Sequence, residues 1–167
     1  TGLGSSARLC AQQLHGAGYD VALNDVSGLF GIRDGVPHAG TEPPAADASA
    51  SIYHLNPPML LPGIIGAGLA SYYRTFNIGY WAWELEALPD DWVRMLDYVD
   101  AVMVPSAFCR DAVLAACDKQ VFVVPHPVDI VPVIERDREG RTFEVLSVFN
   151  FGSSFARKNP LAAVRAF

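Results

Sequence analysis

Apolar positions along this chain recur with two alternating periods. Ala7, Cys10, Ala11 and Leu14 fall at helical spacing within residues 5–17, and the run stops at Gly16 and Gly18, so a first helix is expected there, entered through glycines. Residues 19–24 alternate apolar and polar and predict a short strand, whereas 26–51, rich in Gly, Pro, Ala and Asp, predict a long loop. Ser-Ile-Tyr-His-Leu-Asn (51–56) predicts a buried strand ending at Pro57-Pro58, and the apolar stretch behind it has room for a short helix before Tyr72-Tyr73-Arg74. Residues 76–83 form another β-rich run. From Pro89 the period turns helical: Asp90 and Asp91 occupy the first turn, and Trp92, Met95, Leu96 and Val99 share one face. Residues 101–105 predict a strand, Ser106 an N-cap for a helix over 107–117, and 121–125 another strand.

Strand and helix thus alternate, with helical stretches long enough for crossovers. That order predicts an α/β domain, an open, doubly wound, Rossmann-like parallel sheet with helices on both faces. The polar run 135–141 reads as a linker, 143–149 predicts a fresh strand, and 161–167 begin another helix. The expected division is a first domain over 1–134 and, over 135–167, the linker with the opening strand–helix unit of a second Rossmann-like domain. The length of 167 residues suits one domain plus the start of another. Thr1-Gly2-Leu3-Gly4, with neither an initiating Met nor a charged-then-apolar leader, reads as the inside of a longer chain whose first strand lies upstream.

Composition narrows the function classes. A 51% hydrophobic, 18% charged chain with mean hydropathy +0.21 is too apolar for a disordered tail. The net charge is −6, divided as −8 over 1–134 and +2 over 135–167, the wrong sign for a protein whose main partner is nucleic acid. Cys10, Cys109 and Cys117 form no Cys-x-x-Cys, which points away from a zinc knuckle or disulfide framework and towards a reducing, cytoplasmic setting. The most apolar stretch, 57–70, is interrupted by Pro58, Pro62, Gly63, Gly66 and Gly68 and falls short of the roughly 20 residues of a spanning helix.

Four groups of residues carry candidate chemistry. Gly2 and Gly4 with Ala7 form Gly-x-Gly-x-x-Ala before a helix, where backbone N–H groups can approach an anion; a tight turn that needs glycine for packing explains them equally well. Ser153, Ser154, Arg157 and Lys158 precede Asn159-Pro160, an N-cap and first-turn pair, so two cations sit beside the positive end of a helix and suit a diphosphate without a metal; a solvated basic turn that precedes a helix explains them at least as well. Trp81, Trp83 and Glu84 follow an apolar strand: the indoles are candidates to stack on a sugar or to pair in the core, and Glu84 to accept hydroxyl hydrogen bonds or act in catalysis. His54 and Asn56, at the end of another strand, are candidates to contact an acceptor or sugar, His54 by orienting a hydroxyl or a phosphate, although a lone histidine is more often a satisfied polar residue; His126 within Pro-His-Pro-Val-Asp (125–129) is read as part of a hinge. No Ser/His/Asp order, His-rich metal spacing or P-loop occurs, which disfavours hydrolase, metalloenzyme and kinase readings.

In order, Gly-x-Gly-x-x-Ala-Arg (2–8), Ile-Tyr-His-Leu-Asn-Pro-Pro (52–58), Gly-Tyr-Trp-Ala-Trp-Glu-Leu-Glu (79–86), Val-Pro-Ser-x-Phe (104–108), Pro-His-Pro-Val-Asp (125–129) and Phe-Asn…Ser-Ser…Arg-Lys-Asn-Pro (149–160) resemble bacterial glycosyltransferases of the GT-B fold, group 1, family four. The resemblance implies two Rossmann-like domains, the first holding the acceptor and the second a nucleotide-diphosphate sugar donor. It implies that Gly2 and Gly4 belong to a loop that closes over the donor diphosphate or acceptor, and that Arg157 and Lys158 neutralise the leaving diphosphate; Ser153 and Ser154 are expected as supporting donors, and Trp81, Trp83, His54 and Asn56 as acceptor or sugar contacts, from their own positions in the sequence. Transfer in that family is retaining and metal-independent, with no cofactor beyond the donor. The implied acceptor is a saccharide or a lipid-linked sugar in polysaccharide or envelope synthesis, with peripheral contact at the inner membrane face as a secondary expectation. The family's Glu-x7-Glu motif would fall beyond Phe167, so the chain by itself is expected to be inactive. Where many relatives carry a histidine after the middle strand, this chain has the 81–84 block. The alternatives are a non-catalytic α/β binding module and a dinucleotide-dependent oxidoreductase; the latter rests on Gly-x-Gly alone and is weakened by Ala7 in place of a third glycine.

Overall fold

The computed structural model describes residues 2–31, 47–128, 130, 142–149 and 155–167. The chain divides into two compact units, Thr1–Ile130 and Val131–Phe167. In the first, α1 (Gly2–Gly16) and a 3-10 turn (Ser27–Phe30) precede β1 (Ala50–Tyr53), α2 (Pro57–Ala67), α3 (Leu69–Tyr72) and β2 (Phe76–Tyr80). Then follow α4 (Asp90–Met95), a 3-10 turn (Leu96–Tyr98), β3 (Ala101–Val104), α5 (Ala107–Leu114) and β4 (Gln120–Val123). All four strands are parallel in the order β1-β2-β3-β4, with Ile52 beside Ile78, Ile78 beside Ala101, and Ala101 beside Gln120. The unit is therefore α/β, with the Rossmann-like alternation that the hydrophobic periods predict.

One part of that expectation changes. The strand order does not reverse among the described residues, so the sheet seen here is wound once and not twice. Right-handed crossovers in such an order place α2, α4 and α5 on the same face, and α2 packs against α4 while α5 packs on β3 and β4. The core lies on that face. Val102 and Val104, two apart on β3, meet pairs four apart on the helices: Leu60 and Ile64, Cys109 and Val113, and Trp92 with Leu96 just beyond α4. On the other face Tyr80 reaches the carboxyl edge, where Ser6 of α1 lies within one shared hydrogen-bond partner.

Local chemistry explains the element boundaries. Pro57 and Pro58 open α2, where a missing N–H costs nothing, and Pro62 inside it forfeits one backbone bond. Ser106 caps α5 by accepting from the Cys109 N–H at 3.2 Å. Asp90 and Asp91 sit in the first turn of α4, favourably placed against its dipole. At the amino end of β2, buried Asn77 satisfies its side chain completely: Nδ2 donates to the carbonyls of Tyr72 and Thr75 at 2.9 Å, and Oδ1 accepts from Thr75 and Tyr53 hydroxyls.

Several predicted elements differ. Residues 19–24 form no strand and are mostly exposed, because none of the four described strands pairs with them. The helix over 107–117 stops at Leu114. Within the predicted 26–51 loop, 27–30 make a 3-10 turn and 50–51 already belong to β1; positions 32–46 lie outside the described residues, as does the linker 135–141.

The second unit contains α6 (Phe155–Lys158) and α7 (Pro160–Ala166). The predicted strand 143–149 is not formed: those residues carry no regular structure, and Phe143 is 78% exposed, since no described strand is there to pair with them. Asn159 occupies the N-cap position of α7, but in the left-handed conformation (φ 43°) and without a side-chain cap; asparagine tolerates that region better than most residues.

Candidate functional site

Four sequence blocks end up at one place. His54 and Asn56 follow β1, Trp81 to Glu84 follow β2, Pro105 and Ser106 follow β3, and Pro125 and His126 follow β4. With all four strands parallel, these are four consecutive carboxyl-end turns, the edge at which open α/β sheets bind ligands.

The structure then separates them by role. Trp81 is 1% exposed in the core, edge-on to Trp92 with ring centroids 6.3 Å apart, and its indole N–H has no hydrogen-bond partner among the described residues. A methyl at Gly79 would lie 2.5 Å from Trp81 Nε1, so the glycine of that block makes room for the indole. Trp83 packs on Trp92 at 4.5 Å, donates Nε1–H to the Ala87 carbonyl at 2.8 Å, and its own carbonyl accepts from the Cys109 thiol. Trp81 is thus enclosed in the core, with no face left for a sugar, while half-buried Trp83 is held between Trp92 and the Ala87 carbonyl. Asn56 is likewise committed: its Oδ1 accepts the Ala82 N–H at 3.0 Å and ties the end of β1 to that of β2. Glu84 is exposed.

His54 behaves differently. Its ring stacks on Tyr80 at 4.6 Å and 20°, and its Nδ1 is buried without a hydrogen-bond partner among the described residues. Burial, with a smaller contribution from neighbouring His126, pulls its pKa down to about 4, so the imidazole is neutral at pH 7. Tyr80, fully buried, donates its hydroxyl to the Val124 carbonyl at 2.8 Å. His126 Nδ1 lies 3.2 Å from the Tyr80 hydroxyl and 3.0 Å from the hydroxyl of Ser6, which is 3% exposed. Nothing in the sequence singles out Ser6, which lies outside the Ala7, Cys10, Ala11 and Leu14 stripe, and His126 reads there only as part of a hinge.

A pocket of about 240 Å³ opens beside this array, with Cys10, Leu14, His54, Tyr80, Val124 and Pro127 in its walls. Burial pushes the Cys10 thiol up, away from the reactive thiolate. Compared with known protein families, curated proteins and solved structures, the chain matches none.

The remaining predicted residues are distributed as follows. Gly2 and Gly4 lie inside the first turn of α1, so the closing loop expected around them is helix, which glycine tolerates at its first positions. Lys158 ends α6 and is exposed, and Arg157 precedes it on the same turn. Ser153 and Ser154 lie outside the described residues. Among the described residues no group of three His, Cys, Asp or Glu is placed to hold a metal, and no helix is long and apolar enough to cross a membrane.

Proposed function

We propose that the chain carries the acceptor-side domain of a GT-B glycosyltransferase, together with the first diphosphate-binding residues of the donor side. The observation that carries this reading is the convergence of the 52–58, 79–86, 104–108 and 125–129 blocks at the carboxyl edge of one parallel sheet. Blocks with unrelated functions have no reason to follow four consecutive strands. In this reading an acceptor hydroxyl is held at the edge built from His54, Tyr80 and His126, with exposed Glu84 on the turn after β2 as the candidate carboxylate. Arg157 and Lys158 neutralise the nucleotide diphosphate as it departs, so charge that develops in the transition state is stabilised by fixed cations.

The test is calorimetric titration of UDP and GDP into the protein expressed from its complete reading frame, with EDTA present and NAD as a control, beside an Arg157→Ala/Lys158→Ala variant. Binding of one diphosphate, weakened about tenfold or more in the variant, is expected for loss of two charge-assisted contacts. Silence towards both diphosphates in a folded protein overturns the reading in favour of a binding module, and binding of NAD alone overturns it in favour of an oxidoreductase.

A further inference from the structure

Buried polar atoms are nearly always hydrogen-bonded, and two side-chain atoms among the described residues are not: Trp81 Nε1 and His54 Nδ1. The first is shut inside the core, whereas His54 belongs to the wall of the pocket at the carboxyl edge. One face of its imidazole is taken by Tyr80, which stacks on it at 4.6 Å. The other polar groups of the wall are engaged, weak or exposed. The Tyr80 hydroxyl reaches the Val124 carbonyl at 2.8 Å and His126 Nδ1 at 3.2 Å, and the Ser6 hydroxyl reaches the same nitrogen at 3.0 Å, whichever tautomer His126 adopts. The Cys10 thiol is a weak donor, and Gln13 stands exposed. Among these wall residues His54 alone brings a polar atom that is both enclosed and unpaired.

Water is a poor partner for that nitrogen. An ordered buried water makes about three hydrogen bonds, and here the neighbouring hydroxyls already serve His126 and the Val124 carbonyl. A polar group carried on a carbon body does better, because Leu14, Val124, Pro125 and Pro127 offer contact to the carbon. The body is neutral: no Asp, Glu, Lys or Arg lines the pocket and burial keeps the imidazole uncharged at pH 7, so an ion would be desolvated without a counter-charge. It carries few polar groups, since a pyranose would strip water from several hydroxyls for one partner. A hydroxyl donates to a bare Nδ1 or accepts from a protonated one, and so fits either tautomer of His54, whereas a carbonyl or an amide N–H fits one alone. The carbon is aliphatic, as Leu14, Val124 and the two prolines are, because the ring faces of His54 and Tyr80 are turned on each other. About 240 Å³ holds a single ring or a short chain.

We propose that this pocket binds a small, neutral aliphatic alcohol whose hydroxyl pairs with His54 Nδ1. The proposal goes beyond the glycosyltransferase reading and does not need it, since neither nucleotide nor sugar enters it.

Methyl and imidazole-nitrogen NMR of the 167-residue chain at pH 7 tests it, with cyclohexanol, methylcyclohexane and methyl glucoside as probes. The expected result is that cyclohexanol shifts the Leu14 and Val124 methyls together with the His54 Nδ1 signal. Methylcyclohexane shifts the methyls and leaves Nδ1 in place, and methyl glucoside shifts neither. His54→Phe, which keeps a ring against Tyr80, weakens cyclohexanol about fivefold, as for one lost neutral hydrogen bond, and leaves methylcyclohexane unchanged to within about twofold. Leu14→Trp fills the helix side of the pocket and abolishes binding of both with His54 intact. Should His54→Phe fail to fold, the Nδ1 signal of the unsubstituted chain still decides. Methyl shifts with cyclohexanol while Nδ1 stays in place, equal weakening of the two probes by His54→Phe, shifts with methyl glucoside, or no response from a folded chain overturns the proposal. A free chain whose Nδ1 already shows a hydrogen bond assigns the site to ordered water and overturns it as well. UDP and GDP are absent throughout, so cyclohexanol binding and diphosphate binding succeed or fail separately.

Discussion

His54 concentrates burial and charge on one imidazole. The unfolded chain titrates it near 6.5, whereas the folded chain holds it down at about 4, first through burial and then through His126. Between those values the unfolded state binds a proton that the native state refuses, so stability falls as the pH drops from about 6.5 to about 4 and levels off below. The loss is on the order of 2–3 kcal/mol. Urea melts between about pH 7.5 and pH 4 measure it, and His54→Phe, which keeps a ring against Tyr80, is expected to flatten the slope in this window. An unchanged slope in the variant means the acid sensitivity comes from other groups. The sequence marked His54 as a candidate because it ends a strand, but its buried, unpaired Nδ1 depends on Tyr80, which is remote in the chain.

At the scale of elements, the 79–86 block shows how packing and chemistry compete for the same residues. Gly79 sits in β2 because Trp81 folds back across it, and a methyl there would stand 2.5 Å from the indole nitrogen and 2.9 Å from Cε2. The indole is enclosed by the core and cannot retreat freely. Gly79→Ala is expected to cost about 1–3 kcal/mol by overpacking, read as a lower urea midpoint with an unchanged m-value. A midpoint equal to that of the unsubstituted chain shows that the indole has room to shift. The block's composition advertised both a stacking surface and a core pair. Only the distances to Trp92 decide for the core, because the partner indole arrives from α4 and no local pattern encodes that meeting. The failed strands at 19–24 and 143–149 teach the same lesson: alternation prepares a strand, but a strand exists only beside another.

At the scale of the whole molecule, every described residue of the core cluster lies within Thr1–Ile130. A chain shortened to residues 1–130 is therefore expected to unfold cooperatively, with a Tm within about 5 °C of the full chain, a shift corresponding to roughly 1 kcal/mol or less. Broad, non-cooperative melting of the shortened chain would show that residues 131–167 complete its core. The sequence alone determined the α/β class, three of the helix starts and the strands at 51–53, 76–80, 101–104 and 121–123, because period, prolines and the Ser106 cap act over a few neighbouring residues. It also placed the candidate blocks after the strands, and in a parallel sheet every strand's carboxyl end faces the same edge. Tertiary structure alone decided that Trp81 and Trp83 pack on Trp92, that Asn56 holds the Ala82 N–H, that Ser6 and His126 come within hydrogen-bond distance across 120 positions of chain, and that the pocket wall is mostly apolar. Those outcomes depend on which side chains meet after the crossovers close, and contacts of that range arise from packing rather than from any local pattern.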